Sequence, residues 1–169
     1  LDYLTKRGVL PESIDNFQLG YAPDSWDFMV TQLRKGGISL DTALKYGLIS
    51  LSEKEGRKRY YDRFRGRVMF PISDSTGRPV AFGGRILDSG EPKYLNSPES
   101  DLFKKRQVLY GFHLAKEHIR DLNRVIVVEG YLDVIGCHQK GIRNVVAPLG
   151  TALTEEQLHF LSRYCTEVI

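Results

Sequence analysis

Beyond Asn123 the chain alternates between two kinds of segment, and this alternation restricts the fold more than any other feature. Arg124–Val128 is β-branched and apolar, and Tyr131–Gln139 has helix length. Asn144–Ala147 is again strand-like, Thr154–Tyr164 again helix-like, and Glu167-Val168-Ile169 opens a third strand-like segment. Strands joined through helices must return to the same sheet by crossovers, which are right-handed and leave the strands parallel. Gly141 is placed to stop the first helix. Thr154, followed by Gln157 three residues on, is a capping box that opens the second. An α/β architecture with a parallel βαβαβ sheet over residues 124–169 is the expectation.

Open parallel sheets collect ligands outside the carboxyl ends of their strands. Glu129 stands at that end of the first strand, with Gly130 behind it to let the chain turn sharply. Asp133 follows one helical turn later and points toward the same rim. Two readings stay open at this point. Both carboxylates serve the helix start, as a cap and as charge on its positive end, or they face a hard cation such as Mg²⁺, which takes oxygen ligands and keeps several waters. A metal site for in-line displacement at phosphate needs more acidic ligands than these. The next strand ends in Pro148-Leu149-Gly150-Thr151, without a carboxylate, so the expected site is incomplete as it stands.

Residues 1–123 read differently, as a mixed α+β subdomain. Helices are expected over Leu1–Arg7, Ser25–Lys35 with Ser25 as N-cap, Ser39–Tyr46 stopped by Gly47, and Phe112–Arg120. Strands are expected at Leu48–Leu51, Arg59–Tyr61, Arg67–Ile72 and Pro79–Ile86. Asp74-Ser75-Thr76-Gly77 supplies a turn, and the set reads as antiparallel. Ala81-Phe82-Gly83-Gly84-Arg85 ends a strand in paired glycines beside a guanidinium, which suits close approach of a phosphate or a simple bulge. Lys93 to Glu99 reads as a polar loop. His113, His118, His138 and His159 have no metal spacing and read as half-exposed helical residues.

The net charge is only +3, but it is unevenly spread. Lys54, Arg57, Lys58, Arg59, Arg63, Arg65 and Arg67 stand against Glu55 and Asp62, and Lys104-Lys105-Arg106 forms a second cluster. Such clusters suit a polyanion such as nucleic acid, or form a solvated face. Cys137 and Cys165 have no ligand spacing and fit a reducing, cytoplasmic compartment. No run approaches the roughly 18 apolar residues of a membrane span. No secretory leader is visible, and a first residue other than Met suggests a piece of a longer protein.

Val127-Val128-Glu129-Gly130-Tyr131-Leu132-Asp133-Val134 resembles the first motif of the Toprim fold, shared by primases, topoisomerases and related nucleases. Further segments occur in order upstream: Tyr61 to Ile72 (YDRFRGRVMFPI), Phe82 to Arg85 (FGGR), Pro92 to Glu99 (PKYLNSPE) and Leu109-Tyr110-Gly111. With Tyr3-Leu4, Arg7-Gly8 and Gly20 to Pro23, they resemble the polymerase domain of bacterial replicative DNA primases across nearly the whole chain.

That resemblance implies a fragment of an enzyme that reads single-stranded DNA and joins ribonucleoside triphosphates into an RNA primer with Mg²⁺ or Mn²⁺. The divisions would be residues 1–123, binding template and nucleotide, and a partial Toprim subdomain over 124–169. Glu129 would be the catalytic carboxylate and a metal ligand, with Asp133 either a partner beside the metal site or a charge at the helix start. Arg63, Arg85, Lys93, Tyr94 and Asn96 would bind nucleotide, and Arg65, Arg67, Lys104, Lys105 and Arg106 the template. The family's Asp-Gly-Asp motif is missing and by position would follow Ile169, so the fragment is expected to be inactive alone. The family's zinc-binding and helicase-binding domains are also missing, the latter being the link to a replicative helicase. The expected setting is the bacterial cytoplasm, at the nucleoid-associated replication fork, with no membrane contact. Two alternatives remain: a module that binds single-stranded DNA or nucleotides without catalysis, or a Toprim protein of another kind.

Overall fold

The computed structural model describes residues 2–87, 90–150 and 152–169. Leu1, in the first expected helix, and Thr151, in the segment expected to end the second parallel strand, lie outside them. The chain runs through helices α1 (Asp2–Lys6) and α2 (Pro11–Asn16), strand β1 (Gly20–Ala22), helices α3 (Phe28–Lys35) and α4 (Leu40–Lys45), and the hairpin β2 (Ile49–Lys54) and β3 (Arg57–Asp62). Strands β4 (Arg67–Ser73), β5 (Pro79–Ile86) and β6 (Tyr94–Asn96) follow. Then come α5 (Phe112–Leu122), β7 (Arg124–Val127), α6 (Tyr131–Gln139), β8 (Val145–Val146), α7 (Glu155–Leu161) and β9 (Glu167–Val168).

Residues 124–169 form the expected parallel sheet, in the order β8-β7-β9. Its pattern is period two on both faces. Ile126, Val128, Val145 and Ala147 face α6, where Val134 and Ile135 are fully buried. Val125, Val127 and Val146 face Phe112, Ala115 and Ile119 of α5 and Leu161 of α7. A sheet covered on both faces accounts for strands that are apolar at nearly every position.

The antiparallel sheet has the order β1-β4-β5-β6. Alternate residues Val68, Phe70 and Ile72 of β4 are buried and join Tyr131, Val134 and Ile135 in one core. The change of sequence style at residue 123 therefore marks a change of topology, not a gap between two cores. An antiparallel bridge between Tyr110 and Ala147, with N–H···O distances of 2.8 and 3.2 Å, stitches the preceding loop to the end of β8.

Three elements differ from expectation. Pro11–Asn16 is a helix with Pro at its start, where the ring replaces an N–H that has no partner. Gly20–Ala22 pairs with β4. Tyr94–Asn96, expected as loop, is a strand because β5 offers it an open ladder, Gly83 to Arg85 pairing with Asn96 to Tyr94.

The α3 cap is a correction. The helix starts at Phe28, and neither Ser25 nor Asp27 caps it; the Ser25 hydroxyl instead donates to the Asp27 carboxylate at 3.2 Å. Its free N–H groups donate to Asp62, from Met29 at 2.7 Å and Val30 at 3.0 Å. Asp62 is only 2% exposed, so one of the two acids in the basic run is a buried cap from a distant strand. It ties the β2–β3 hairpin to α3 and α4 over a small core of Val30, Leu33, Ala43 and Ile49.

Hydrogen bonds to a charged group contribute about 1.5–3 kcal/mol, and buried N–H groups left unpaired are costly. Asp62→Ala is expected to lower stability by about 2–3 kcal/mol in urea denaturation, whereas Ser25→Ala should change it by less than about 0.5 kcal/mol.

Candidate active site

Strand β7 ends at Val127, but pairing continues as Val128 donates to the Val146 carbonyl at 3.0 Å. Glu129 emerges exposed at this end of the sheet, and among the described residues its carboxylate has no hydrogen-bond or ion-pair partner. Gly130 is extended, with φ −152° and ψ −179°, a conformation open to any residue, so the turn does not require glycine as expected. What holds the turn is Asp133, whose Oδ2 accepts the Gly130 N–H at 3.0 Å. Asp133 thus fills a helix-start role, and that contact holds the backbone that presents Glu129 at the rim.

Glu129 opens into a cleft of about 290 Å³, lined also by Tyr94, Asn96, Tyr131, Asp133 and Pro148. The cleft exists because β6 of one sheet meets the carboxyl ends of β7 and β8 of the other. Asn96 makes the junction. Its Oδ1 accepts from the Tyr131 hydroxyl at 2.6 Å, its Nδ2 donates to the Leu149 carbonyl at 3.2 Å, and its own carbonyl accepts from Arg63 Nη2 at 3.1 Å. Asn96 thus ties both loops of the parallel sheet to the antiparallel one.

Tyr131 is buried, stacked on Phe70 at 4.9 Å and edge-on to Tyr110 at 4.7 Å. Burial pushes its phenol far above the usual range, so it serves as a neutral donor. Its path to Asn96 crosses β5 at Gly83, where a Cβ would run into the Tyr131 hydroxyl and ring. On Gly84 a Cβ would lie 2.8 Å from Phe64 Cδ1 and 3.0 Å from Arg67 Cδ. The paired glycines therefore admit protein side chains. The expected room for a phosphate is taken.

Two guanidiniums border this junction. Arg85 lies over the rings of Tyr94, at 4.9 Å, and Tyr3, at 5.5 Å. The Nε groups of Arg63 and Arg85 are buried without a hydrogen-bond partner. Burial draws the Arg63 guanidinium below its usual value. Both guanidiniums touch residues that line the cleft, Arg63 through the Asn96 carbonyl and Arg85 over the Tyr94 ring. Lys93 is exposed next to Tyr94.

The expected template residues separate into groups. Arg67 is corrected: it is 5% exposed, and its Nη1 donates to the carbonyls of Gly84 at 3.1 Å, Pro92 at 2.9 Å and Lys93 at 3.4 Å. It pins the β6 approach and has no reach to a template. Arg65 stacks on Trp26 at 3.9 Å and donates to the Asp62 carbonyl. Lys104, Lys105 and Arg106 sit on a loop outside the cleft lining. Gln157, fully buried, donates from Nε2 to the carbonyls of Lys105 at 3.1 Å and Val108 at 2.9 Å, and Thr154 Oγ1 donates to that of Arg106 at 2.8 Å. The capping box of α7 is thus also the anchor of the basic loop.

Among the described residues no group of three or more His, Cys, Asp or Glu side chains is arranged to hold a metal ion. One free carboxylate in a cleft still fits Mg²⁺, which is commonly bound through one or two carboxylates together with substrate phosphates and waters. Tyr131 is the member of the site to which the sequence pattern assigns no role. The available signal was a tyrosine inside an apolar helix face, which needs a hydroxyl partner when buried.

Residues 1–116 match the family model described as DNA primase catalytic core, N-terminal domain, and residues 123–169 match that of the Toprim domain. A DNA primase from Deinococcus radiodurans is 51% identical over 163 residues, covering 96% of this chain and 28% of that protein. The chain thus spans little more than a quarter of the length of this curated relative. The crystal structure of a DNA primase domain from Pseudomonas aeruginosa superposes with a TM-score of 0.89 at 49% identity, over 99% of this chain and 51% of that one. A primase catalytic domain bound to single-stranded DNA superposes with a TM-score of 0.85 at 43% identity, over 99% of this chain and 53% of that one.

Overpacking at a tight site costs about 1–3 kcal/mol and one neutral hydrogen bond about 1 kcal/mol. Gly83→Ala is accordingly expected to destabilise the chain by more than Tyr131→Phe does, with thermal unfolding as the measurement. The reverse order would show that the Tyr131 ring does not fill the Gly83 position.

Proposed function

The chain belongs to the family of the DNA primase catalytic core, and from that membership we propose that it carries part of an active site for primer synthesis. The reaction is nucleotidyl transfer: a primer 3′-hydroxyl attacks the α-phosphate of a ribonucleoside triphosphate opposite single-stranded DNA, and pyrophosphate leaves. The observation that carries this reading is the unpartnered Glu129 carboxylate sharing a cleft with Tyr94 and Asn96, the two residues that the Arg85 and Arg63 guanidiniums contact.

Each residue has a task its position suits. Arg63, Arg85 and Lys93 neutralise and orient the triphosphate, Arg85 held between two aromatic rings and so pre-organised for an anion. Tyr94, 43% exposed, offers a ring face to the sugar or base. Asn96, fixed by Tyr131 and Leu149, has its amide orientation set. Glu129 would be the protein ligand for a divalent cation, Mg²⁺ or Mn²⁺, which supplies charge neutralisation at the phosphates and activation of the hydroxyl. Arg65 and the Lys104–Arg106 loop follow the template phosphates, a contact weakened by salt. No helix among the described residues is long and apolar enough to cross a membrane.

One observation favours a second reading, in which this segment by itself binds DNA or nucleotide without turnover: the described residues bring no further carboxylate to Glu129 besides the engaged Asp133.

In a primase carrying this segment, Glu129→Gln is expected to lower primer synthesis by at least a hundredfold, about 2.7 kcal/mol in the barrier, while DNA binding and the melting temperature stay near wild type. Primer synthesis within a few fold of wild type would remove Glu129 from the reaction.

A further inference from the structure

The basic run between Lys54 and Arg67 does not act as one surface, because the hairpin sorts it by strand period. Register pairs Ser50 with Tyr61, Ser52 with Arg59 and Lys54 with Arg57 on one face. Leu51 pairs with Tyr60 and Glu53 with Lys58 on the other. The second face turns inward at its base: Tyr60 packs on the small core with α3 and α4, and its hydroxyl donates to Asp41 at 2.8 Å. The first face is left open. With Trp26 it forms a trough of about 500 Å³ lined by Ser52, Lys54, Arg57, Arg59 and Tyr61, with Glu55 at the turn as its single acid.

Among the described residues Lys54, Arg57 and Arg59 make no ion pair, and Arg57 and Arg59 are exposed. Like charges held side by side repel one another and are destabilising when directly opposed, and Lys54 and Arg57 are directly opposed. A purely structural hairpin gains nothing from that arrangement. It suits a partner that brings a regular row of negative charge. Successive outward residues on a strand recur about every 6.7 Å, so Arg57, Arg59 and Tyr61 form a straight row down the ribbon. The row ends at Trp26, where the Arg65 guanidinium is stacked at 3.9 Å and continues the positive strip.

We propose that this outward face of the β2–β3 hairpin is a nucleic-acid track, in which the opposed pair Lys54 and Arg57 and the next outward cation, Arg59, bind backbone phosphates of a strand that continues past Arg65. The occupant is a phosphodiester backbone, since the trough offers cations and hydroxyls in a row and no closed pocket for a base. The proposal concerns binding and does not depend on chemistry at Glu129.

The test is equilibrium binding of this chain to a thirty-nucleotide oligo(dT) and to a thirty-base-pair duplex, each measured across a salt series. For single strands each neutralised phosphate contributes about 0.7 to the slope of log K against log salt, and for duplex about 0.9. Replacing Lys54, Arg57 and Arg59 together by Gln is expected to lower the slope by about 2 for oligo(dT), with affinity reduced on the order of a hundredfold at 0.1 M salt and converging with wild type near 1 M. A fall of about 2.7 confined to the duplex would identify the duplex as the source of the backbone. Lys58→Gln, on the same hairpin but the other face, is the matched control and should leave the slope unchanged. Circular dichroism checks that the triple variant is folded. Unchanged slopes on both nucleic acids, an equal loss from Lys58→Gln alone, or competition by poly-glutamate as effective as by oligo(dT) would each overturn the proposal.

Discussion

The Tyr131 hydroxyl donates to Asn96 Oδ1 at 2.6 Å across the seam between an antiparallel and a parallel sheet, and the candidate site is built around that bond. One partner follows Glu129 by two residues, and the other lies on the strand after the Arg67-pinned turn. The bond can form only because Gly83 leaves its side-chain position empty for the tyrosine ring. Stacking on Phe70 and edge contact with Tyr110 then fix the ring, which removes the freedom that would make a lone polar bond marginal. A carboxylate at a sheet rim thereby faces residues from a strand more than thirty positions away in the chain.

Other buried polar groups follow the same logic. Asp62 caps a helix that its own strand does not adjoin in sequence, Arg67 collects three carbonyls, and Gln157 holds the basic loop while closing the start of α7. Each is satisfied by several hydrogen bonds, the condition under which burying a charge or amide is tolerated. They join elements that hydrophobic packing alone would leave free to slide, since a core shared by two sheets is non-directional. The orientation of the cleft walls is thus set by polar bonds of defined geometry, on a core that supplies most of the stability.

Charge shows how much placement matters. The run from Lys54 to Arg67 reads as a single positive stretch, yet the fold distributes it among an open ribbon face, an inward-turned face, a buried carbonyl clamp and the border of the cleft. Residues of equal charge, a few positions apart, have different solvent and different partners. Desolvation separates them: Arg63 and Arg67 are drawn below their usual values by burial.

Read alone, the sequence determined the parallel sheet, its helices and the place of Glu129, because those depend on local period and on rules of chain crossover that act over short distances. It also carried the α7 capping box and the antiparallel core of β4 and β5. It misplaced the α3 cap on Ser25, read β6 as a loop and Arg67 as a template contact, and left open what the paired glycines Gly83 and Gly84 make room for. Each of these depends on a contact between residues far apart in the chain, whose partner is chosen only when the sheets pack. Local pattern says which face a residue presents. Only tertiary structure decides what meets that face, and the choice between a buried clamp and a free cation is made there by the cost of desolvating a charge.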